Sequence, residues 1–295
     1  MRVRPDREYF ESKFKNIDEQ LGDLWGHRWR ASQKFRHDLY ISILQRIVPS
    51  ANPIKVLDIG CGLGELTERV YELDRKNWVI GMDISRNAAR ILNKNKKNLI
   101  DLIDVVVGGL PYLPFRANSF DLVVCAEVLY YLGPKQQHLS LQSIKALLKP
   151  KGFMLLSVPL CNDPKALAFT EEEIINLVLN YFHIEQIQYN YAKLYGIFEK
   201  PLLLLCENVG VIRRIREMSE AEFSRWCIKA SSRKVKVAKI IRKFNFLPIL
   251  EAAIPKIRLV LSFKTPVIAL YRLTKLLMRK KGRTQIILLL RNNAK

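Results

Sequence analysis

Residues 56–65, VLDIGCGLGE, decide the fold, because they join a buried strand to a helix through a glycine-rich turn. Val56, Leu57 and Ile59 around Asp58 suit a parallel strand covered on both faces. Gly60, Gly62 and Gly64 let the backbone turn tightly and come close to a ligand, and residues 65–73 resume as a helix. A turn of this kind serves either a dinucleotide, whose pyrophosphate rests on the helix N-terminus, or a nucleoside that carries no phosphate.

Glycine spacing separates the two. A dinucleotide turn reads G-x-G-x-x-G, whereas Gly60-Cys61-Gly62-Leu63-Gly64 is followed here by Glu65. Asp58, an acid at the strand end, repels a pyrophosphate and welcomes a cation. The resulting D-x-G-x-G form resembles the nucleotide loop of class I S-adenosylmethionine (SAM) methyltransferases. That resemblance implies SAM as cofactor, S-adenosylhomocysteine as its product, and an α/β fold with a doubly wound, Rossmann-like sheet of seven strands.

Outward from the turn, short apolar segments alternate with helices, the pattern of a parallel doubly wound sheet. Strands are expected at 55–59, 78–82, 103–107, 121–126 and 153–158, and helices at 65–73, 86–95 and 135–148. The last of these helices is expected to stop at Lys149-Pro150-Lys151-Gly152. In such a sheet the ligand lies beyond the carboxyl ends of the strands, which gathers Gly60, Asp83, Gly109 and Glu127 around one crevice. A further helix at 170–181 opens with the capping pattern Thr170-Glu171-Glu172-Glu173, and a sixth strand follows at 183–191.

Sheets of the resembled family close with strands six and seven paired as a hairpin, yet no strand-like segment follows Tyr191 promptly. The seventh strand is expected at 284–291, TQIILLLR. The chain then divides into an N-terminal helical cap (1–50), a SAM-binding core (51–195), a basic helical insertion between strands six and seven (196–283), and the final strand of the sheet (284–295). Within the cap, Leu39, Ile43, Leu44 and Ile47 recur at roughly helical spacing before Pro49. Tyr9, Phe10 and the segment from Trp25 to Arg30 either pack as an amphipathic helix on the sheet or form a lid over cofactor and substrate.

Carried over position by position, the resemblance assigns Asp58 and Gly60, Cys61, Gly62 and Gly64 to the methionine part of SAM. It assigns Asp83 to both ribose hydroxyls, a role that suits a carboxylate able to accept two hydrogen bonds. Ile84 is expected against the adenine. Gly109 stands where an aspartate commonly binds the adenine amino group, so adenine recognition falls to main-chain groups near Leu110 or to another side chain. Strand four and its exit, FDLVVCAEVLYYLG, are similar to the nodulation-type N-methyltransferases. Cys125 and Ala126 are expected to pass the amino end of SAM, with Glu127, Tyr130 and Tyr131 near the transferred methyl. Many small-molecule methyltransferases carry histidine after strand four; this chain carries tyrosine, which excludes a catalytic histidine there. Glu127 or a tyrosine hydroxyl serves as the base, or Glu127 is a structural hydrogen-bond acceptor.

Composition bounds the partners. The net charge is +21, and it is uneven: residues 1–195 hold 26 Lys or Arg against 22 Asp or Glu, whereas residues 196–295 hold 23 against 6. The insertion interleaves these bases with apolar runs at 235–241, 257–263 and 267–278. It reads as a lid, as a set of helices docking on an anionic membrane surface, or, less favoured because its aromatics are dispersed, as a nucleic-acid clamp. The resemblance implies methyl transfer to nitrogen or oxygen of a small-molecule or lipid-linked acceptor, a sugar among them; the alternatives are an RNA methyltransferase using the insertion as a phosphate clamp and a non-catalytic SAM-binding interaction module. Five scattered cysteines and four histidines without metal spacing indicate neither a disulfide framework nor a metal site, and a reducing cytoplasm fits best. No apolar leader opens the sequence and no stretch is long and apolar enough to span a bilayer.

Overall fold

The computed structural model describes residues 4–15, 29–48, 52–95, 103–163, 166–229, 238–239, 243 and 247–293. The expected lid residues Trp25 to Arg28, Pro49, and most of the apolar run 235–241 lie outside the described residues.

A seven-stranded sheet is built from β1 (Lys55–Ile59), β2 (Trp78–Asp83), β3 (Ile103–Val107), β4 (Phe120–Ala126), β5 (Leu148–Pro159), β6 (His183–Asn190) and β7 (Gln285–Arg291). Its order is β3-β2-β1-β4-β5-β7-β6. The pairs among β1 to β5 are parallel, while β7 runs antiparallel to both β5 and β6. Strand order reverses between β1 and β4, so the carboxyl ends of those two strands open a crevice between them.

Side-chain alternation along β1 sorts the core into two layers. Leu57 and Ile59 join Ile80 and Met82 in a cluster with Leu141 and Ile144 of α5 (Pro134–Leu147) and Ile174 and Val178 of α6 (Glu171–Leu179). Val56, on the other face, packs with Val79, Val124 and Leu155 against Tyr40, Ile43 and Leu44 of α2 (Ala31–Leu44) and Val70 of α3 (Glu65–Tyr71). Each buried aliphatic side chain contributes roughly 2 kcal/mol. Asp58 follows the same alternation and faces α3, a placement that matters below.

Most boundaries fall within two residues of the sequence expectation. The helix before Lys149-Pro150-Lys151-Gly152 stops as expected, at Leu147, but the strand expected at 153–158 already begins at Leu148 and takes those four residues in. They are accommodated at a register shift against β4 between Phe120 and Leu122. Lys149 Nζ bonds Asp121 there at 2.8 Å. The helix α6 carries the expected capping box: Thr170 Oγ1 accepts from the Glu173 amide, and Glu173 Oε2 from the Thr170 amide.

Among the described residues two helices precede the sheet, α1 (Arg7–Lys15) and α2, and α4 (Arg86–Asn95) follows β2. Between β6 and β7 the chain folds as α7 (Lys193–Glu217), α8 (Glu220–Lys229), α9 (Leu247–Ser262) and α10 (Lys264–Met278). Both α9 and α10 pack on α7 and α2. Arg30 pairs with Glu199 of α7 at 2.7 Å and Asp38 of α2 with Lys264 at 2.8 Å, so the late helices are tied to the cap.

Candidate active site

At the carboxyl ends of β1, β2 and β4 lies a cavity of about 260 Å³, walled on its outer side by residues of α1 and α2. Its floor is the glycine turn. Gly60, Gly62 and Gly64 all have positive φ, at 76°, 54° and 86°. A Cβ on Gly60 would sit 2.3 Å from Val128 Cγ2, and one on Gly64 2.2 Å from Leu92 Cδ1, so those two glycines allow the turn to pack. A Cβ on Gly62 meets nothing within 4 Å. Gly62 lines the cavity, and its bareness leaves backbone open to a ligand.

Two carboxylates meet this floor. Asp83, at the end of β2, accepts from the Gly62 amide at 2.9 Å through Oδ2 and from the Ser85 amide at 2.8 Å through Oδ1. Asp58 accepts from Thr67 Oγ1 at 2.7 Å. Both are buried, and neither has a cationic partner among the described residues. Burial therefore pushes both acids up, Asp58 to about 6, with Asp83 nearby adding to the effect. The hydroxyl and the two amides offset only part of that cost. Buried negative charge of this kind is completed by a ligand that brings positive charge.

The opposite wall is differently made. Glu127 follows β4 directly with φ 62°, a conformation rare for a residue bearing a side chain. Its Oε1 accepts from Ser157 Oγ at 3.1 Å and from Gln285 Nε2, while Oε2 lies 3.4 Å from Arg36. Tyr40 OH, Ser157 Oγ and Gln285 Nε2 close the network within 2.6–2.8 Å of one another. Burial disfavours the charge of the Arg36 guanidinium, yet the oxygens of Tyr40 and Glu127 around it more than restore it, and its pKa rises. Just beyond, a 3₁₀ turn at Leu129–Tyr131 sets Tyr130 against Tyr131 at a 40° tilt, with ring centroids 4.2 Å and hydroxyls 3.0 Å apart. Burial first, then the negative charge of Glu127, raises the pKa of Tyr130; for Tyr131 burial is again the main cause. Both phenols stay protonated at neutral pH.

The cap completes the enclosure. Phe10 of α1 meets Tyr131 edge-on at 5.2 Å, and Phe14 lines the same space. Glu11, from the same helix, accepts from Ser85 Oγ and from the amides of Arg86 and Asn87, capping α4 across the chain. Burial works against its charge, but those three bonds hold its pKa below the usual range. Ser85 also caps α4, accepting from the Ala88 amide at 3.2 Å. Arg4 donates to the carbonyls of Tyr130 and Leu132.

Among the residues expected at the cofactor, Asp58, Gly60, Cys61, Gly62, Asp83 and Ile84 line the cavity, as do Gly109, Leu110 and Ala126. Glu127, Tyr130 and Tyr131 line it too. Gly64 and Cys125 do not. Gly64 is turned toward Leu92, and Cys125 is sealed in the core under the strand end, its thiol pushed up by burial to about 12. Gly109 has room for a side chain, its Cβ position lying 3.4 Å from Ile84. Sequence reasoning missed Gln33, Arg36, His37 and Tyr40, which α2 presents to the cavity at helical spacing. A polar and cationic stripe within an otherwise core-forming helix was the available signal.

This set of groups fits a zwitterionic sulfonium nucleoside. The acids meet cationic and hydroxyl groups, Gly62 leaves room, and Arg36 Nε and Gln33 Oε1 are buried without hydrogen-bond partners among the described residues, which suits a carboxylate and an ammonium.

Comparison with known proteins gives the following. Residues 56–152 match the family described as methyltransferase domain. The chain is 34% identical over 111 residues to the ubiquinone/menaquinone biosynthesis C-methyltransferase of Wigglesworthia glossinidia brevipalpis, covering 36% of this chain and 44% of that protein. It is 31% identical over 149 residues to a ubiquinone biosynthesis O-methyltransferase of Histophilus somni, covering 47% of this chain and 60% of that one. The matches thus span about half the length of these relatives. Among solved structures, the N-methyltransferase NodS of Bradyrhizobium japonicum WM9, in complex with S-adenosylhomocysteine, aligns with a TM-score of 0.50 at 20% identity, over 62% of this chain and 89% of that one. The [4+2]-cyclase SpnF aligns with a TM-score of 0.52 at 14% identity, over 89% and 83%. At these identities the structural likeness is one of fold, and the cyclase shows that the fold admits more than one reaction.

Proposed function

We propose, from the premise that residues 56–152 form a class I SAM-dependent methyltransferase domain, that the protein transfers a methyl group to a nitrogen or oxygen of a small amphiphilic acceptor. The observation that carries this reading is the pair of buried acids, Asp58 and Asp83, flanking an open glycine backbone with no cationic partner among the described residues. Bound SAM supplies a methyl already activated by its sulfonium and leaves as S-adenosylhomocysteine. Asp58 and the loop around Gly62 hold its amino-acid part, Asp83 its ribose, and Ile84 and Leu110 its adenine. Arg36 takes its carboxylate.

The remaining work of the protein is alignment and exclusion of water. Phe10, Phe14, Tyr130, Tyr131 and Leu132 give the acceptor side an aromatic and apolar wall. Such a wall suits an amphiphile better than a fully polar sugar. Tyr130 and Tyr131, protonated, orient the acceptor as donors and ring faces. Glu127, its carboxylate fixed by Arg36, Ser157 and Gln285, receives the proton released by an N–H or O–H acceptor. Relatives named for ubiquinone biosynthesis support an apolar acceptor, and the basic last third of the chain supports meeting it at an anionic membrane surface. Among the described residues no helix is long and apolar enough to cross a membrane.

Titration calorimetry tests the premise. Both SAM and S-adenosylhomocysteine should bind, and Asp83→Ala should weaken binding at least tenfold, about 1.4 kcal/mol, as expected for loss of a charge-assisted hydrogen bond. Absence of binding for both compounds would overturn the cofactor assignment.

A further inference from the structure

The helices α9 and α10 leave one face each outside the protein. Where they pack on α7 and α2 they bury Leu261, Val267 and Thr274. Turned away from that contact are Leu259, Val260, Phe263, Leu273, Leu276 and Leu277, all exposed, with Leu276 and Leu277 at 73% and 67%. Six large apolar side chains facing water on two consecutive helices are more than the scattered exposure of an ordinary surface. Their neighbours are cations. Lys256, Arg272, Lys275 and Arg279 are exposed, and none makes an ion pair among the described residues. Residues 247–283 hold nine Lys or Arg against the single acid Glu251.

From these observations we infer that the outer face of α9 and α10 docks on the surface of an anionic lipid bilayer. Leu276, Leu277 and Phe263 enter the boundary between head groups and acyl chains, and Lys256, Arg272, Lys275 and Arg279 stay among the phosphates. Charge complementarity selects the occupant. A protein partner would need to supply a contiguous acidic rim, whereas a leaflet of anionic lipid supplies it everywhere. RNA matches the charge but not the apolar part, because five of the six exposed side chains are aliphatic and offer nothing for bases to stack on. The placement also fits the reading of the acceptor as an amphiphile, on which this inference rests for its purpose though not for its chemistry. The helix α2, against which α9 and α10 pack, forms the wall of the cavity through Gln33, Arg36 and Tyr40. A bilayer touching the outer helices is therefore one helix layer away from the site.

Vesicle flotation with the full chain tests it. Binding is expected to vesicles of phosphatidylglycerol and phosphatidylcholine, to fall at least tenfold with phosphatidylcholine alone, and to fall with added salt. The double variant Leu276→Glu, Leu277→Glu should lose at least tenfold of the binding at an unchanged melting temperature and unchanged affinity for SAM, since both side chains point to solvent. Leu139→Glu, at an exposed position on α5, should leave flotation untouched. Equal flotation of the double variant, or RNA displacing the protein from vesicles at stoichiometric amounts, would overturn the inference. Flotation that persists in a protein unable to bind SAM would leave the docking surface standing and remove the cofactor reading instead.

Discussion

Asp58 and Asp83 on the floor of the cavity and Glu127 on its far wall are all carboxylates at the ends of sheet strands, but they live in opposite circumstances. The floor acids are buried, hydrogen-bonded among the described residues to neutral groups, and pushed up by desolvation. Glu127 has a guanidinium at 3.4 Å and an amide and a hydroxyl on its other oxygen. The floor acids are electrostatically unfinished and Glu127 is complete, while Arg36 beside it keeps its Nε without a hydrogen-bond partner among the described residues. The difference teaches where to look for a ligand. A group left costly by the fold marks the place where binding returns that free energy, whereas a fully satisfied group is held in place for what it does to others.

Removing the partner of Glu127 should have the largest effect. Arg36→Leu leaves Glu127 without its cation, and denaturant unfolding should show a loss of about 3–5 kcal/mol. Adding Glu127→Gln to that variant should return most of the loss, because the uncompensated charge is gone. If the double variant is no more stable than the single one, the contrast between the acids fails.

Neutralising an unfinished floor acid should work in the other direction. Asp58 has an ordinary pKa of 3.8 when unfolded and about 6 when folded, so the folded protein holds the extra proton between those values. Stability therefore declines as pH rises from about 3.8 to 6 and is flat above, a loss of up to about 3 kcal/mol. Asp58→Asn, whose amide can still bond Thr67, should flatten that decline and stabilise the free protein by about 2 kcal/mol at pH 7. Affinity for SAM should move oppositely, rising through pH 6 in the unaltered protein and losing that dependence in the variant. Unfolding midpoints and calorimetry across pH 4–8 read both.

The smallest effect sharpens the picture. Tyr40→Phe removes one hydroxyl from the network behind Glu127 and should cost about 1 kcal/mol, while leaving SAM affinity unchanged. A larger change in affinity would place Tyr40 on the ligand itself.

How much of this was legible in the sequence follows from the range of each interaction. The turn at residues 56–65 and the position of Asp83 are local, since glycine spacing and strand ends are written within a few residues, and the strands around them fell where apolar alternation put them. The delayed seventh strand was readable too, because 284–291 is an apolar run flanked by charge. Glu11 capping α4 and Arg36 pairing with Glu127 were not readable. Those contacts join residues 75 and 91 positions apart, and nothing near an exposed-looking Glu in an N-terminal helix announces its partner. Lys149-Pro150-Lys151-Gly152 ends the preceding helix as read, but that the same residues open β5 was missed for a related reason. Proline and glycine mark a break, but whether the residues of the break are absorbed within the next strand is settled by the neighbouring strand β4.

The antiparallel strand β7 sets an order of assembly. It lies between β5 and β6, and its Gln285 bonds Tyr40, Ser157 and Glu127 together. During synthesis, β6 leaves the ribosome roughly a hundred residues before the strand that will join it to the sheet. A nascent chain can thus shape the glycine turn and its acids early, yet it cannot fasten the acceptor wall until residue 285 has emerged. Through that interval the growing protein is a nucleoside pocket with one side still unbuilt.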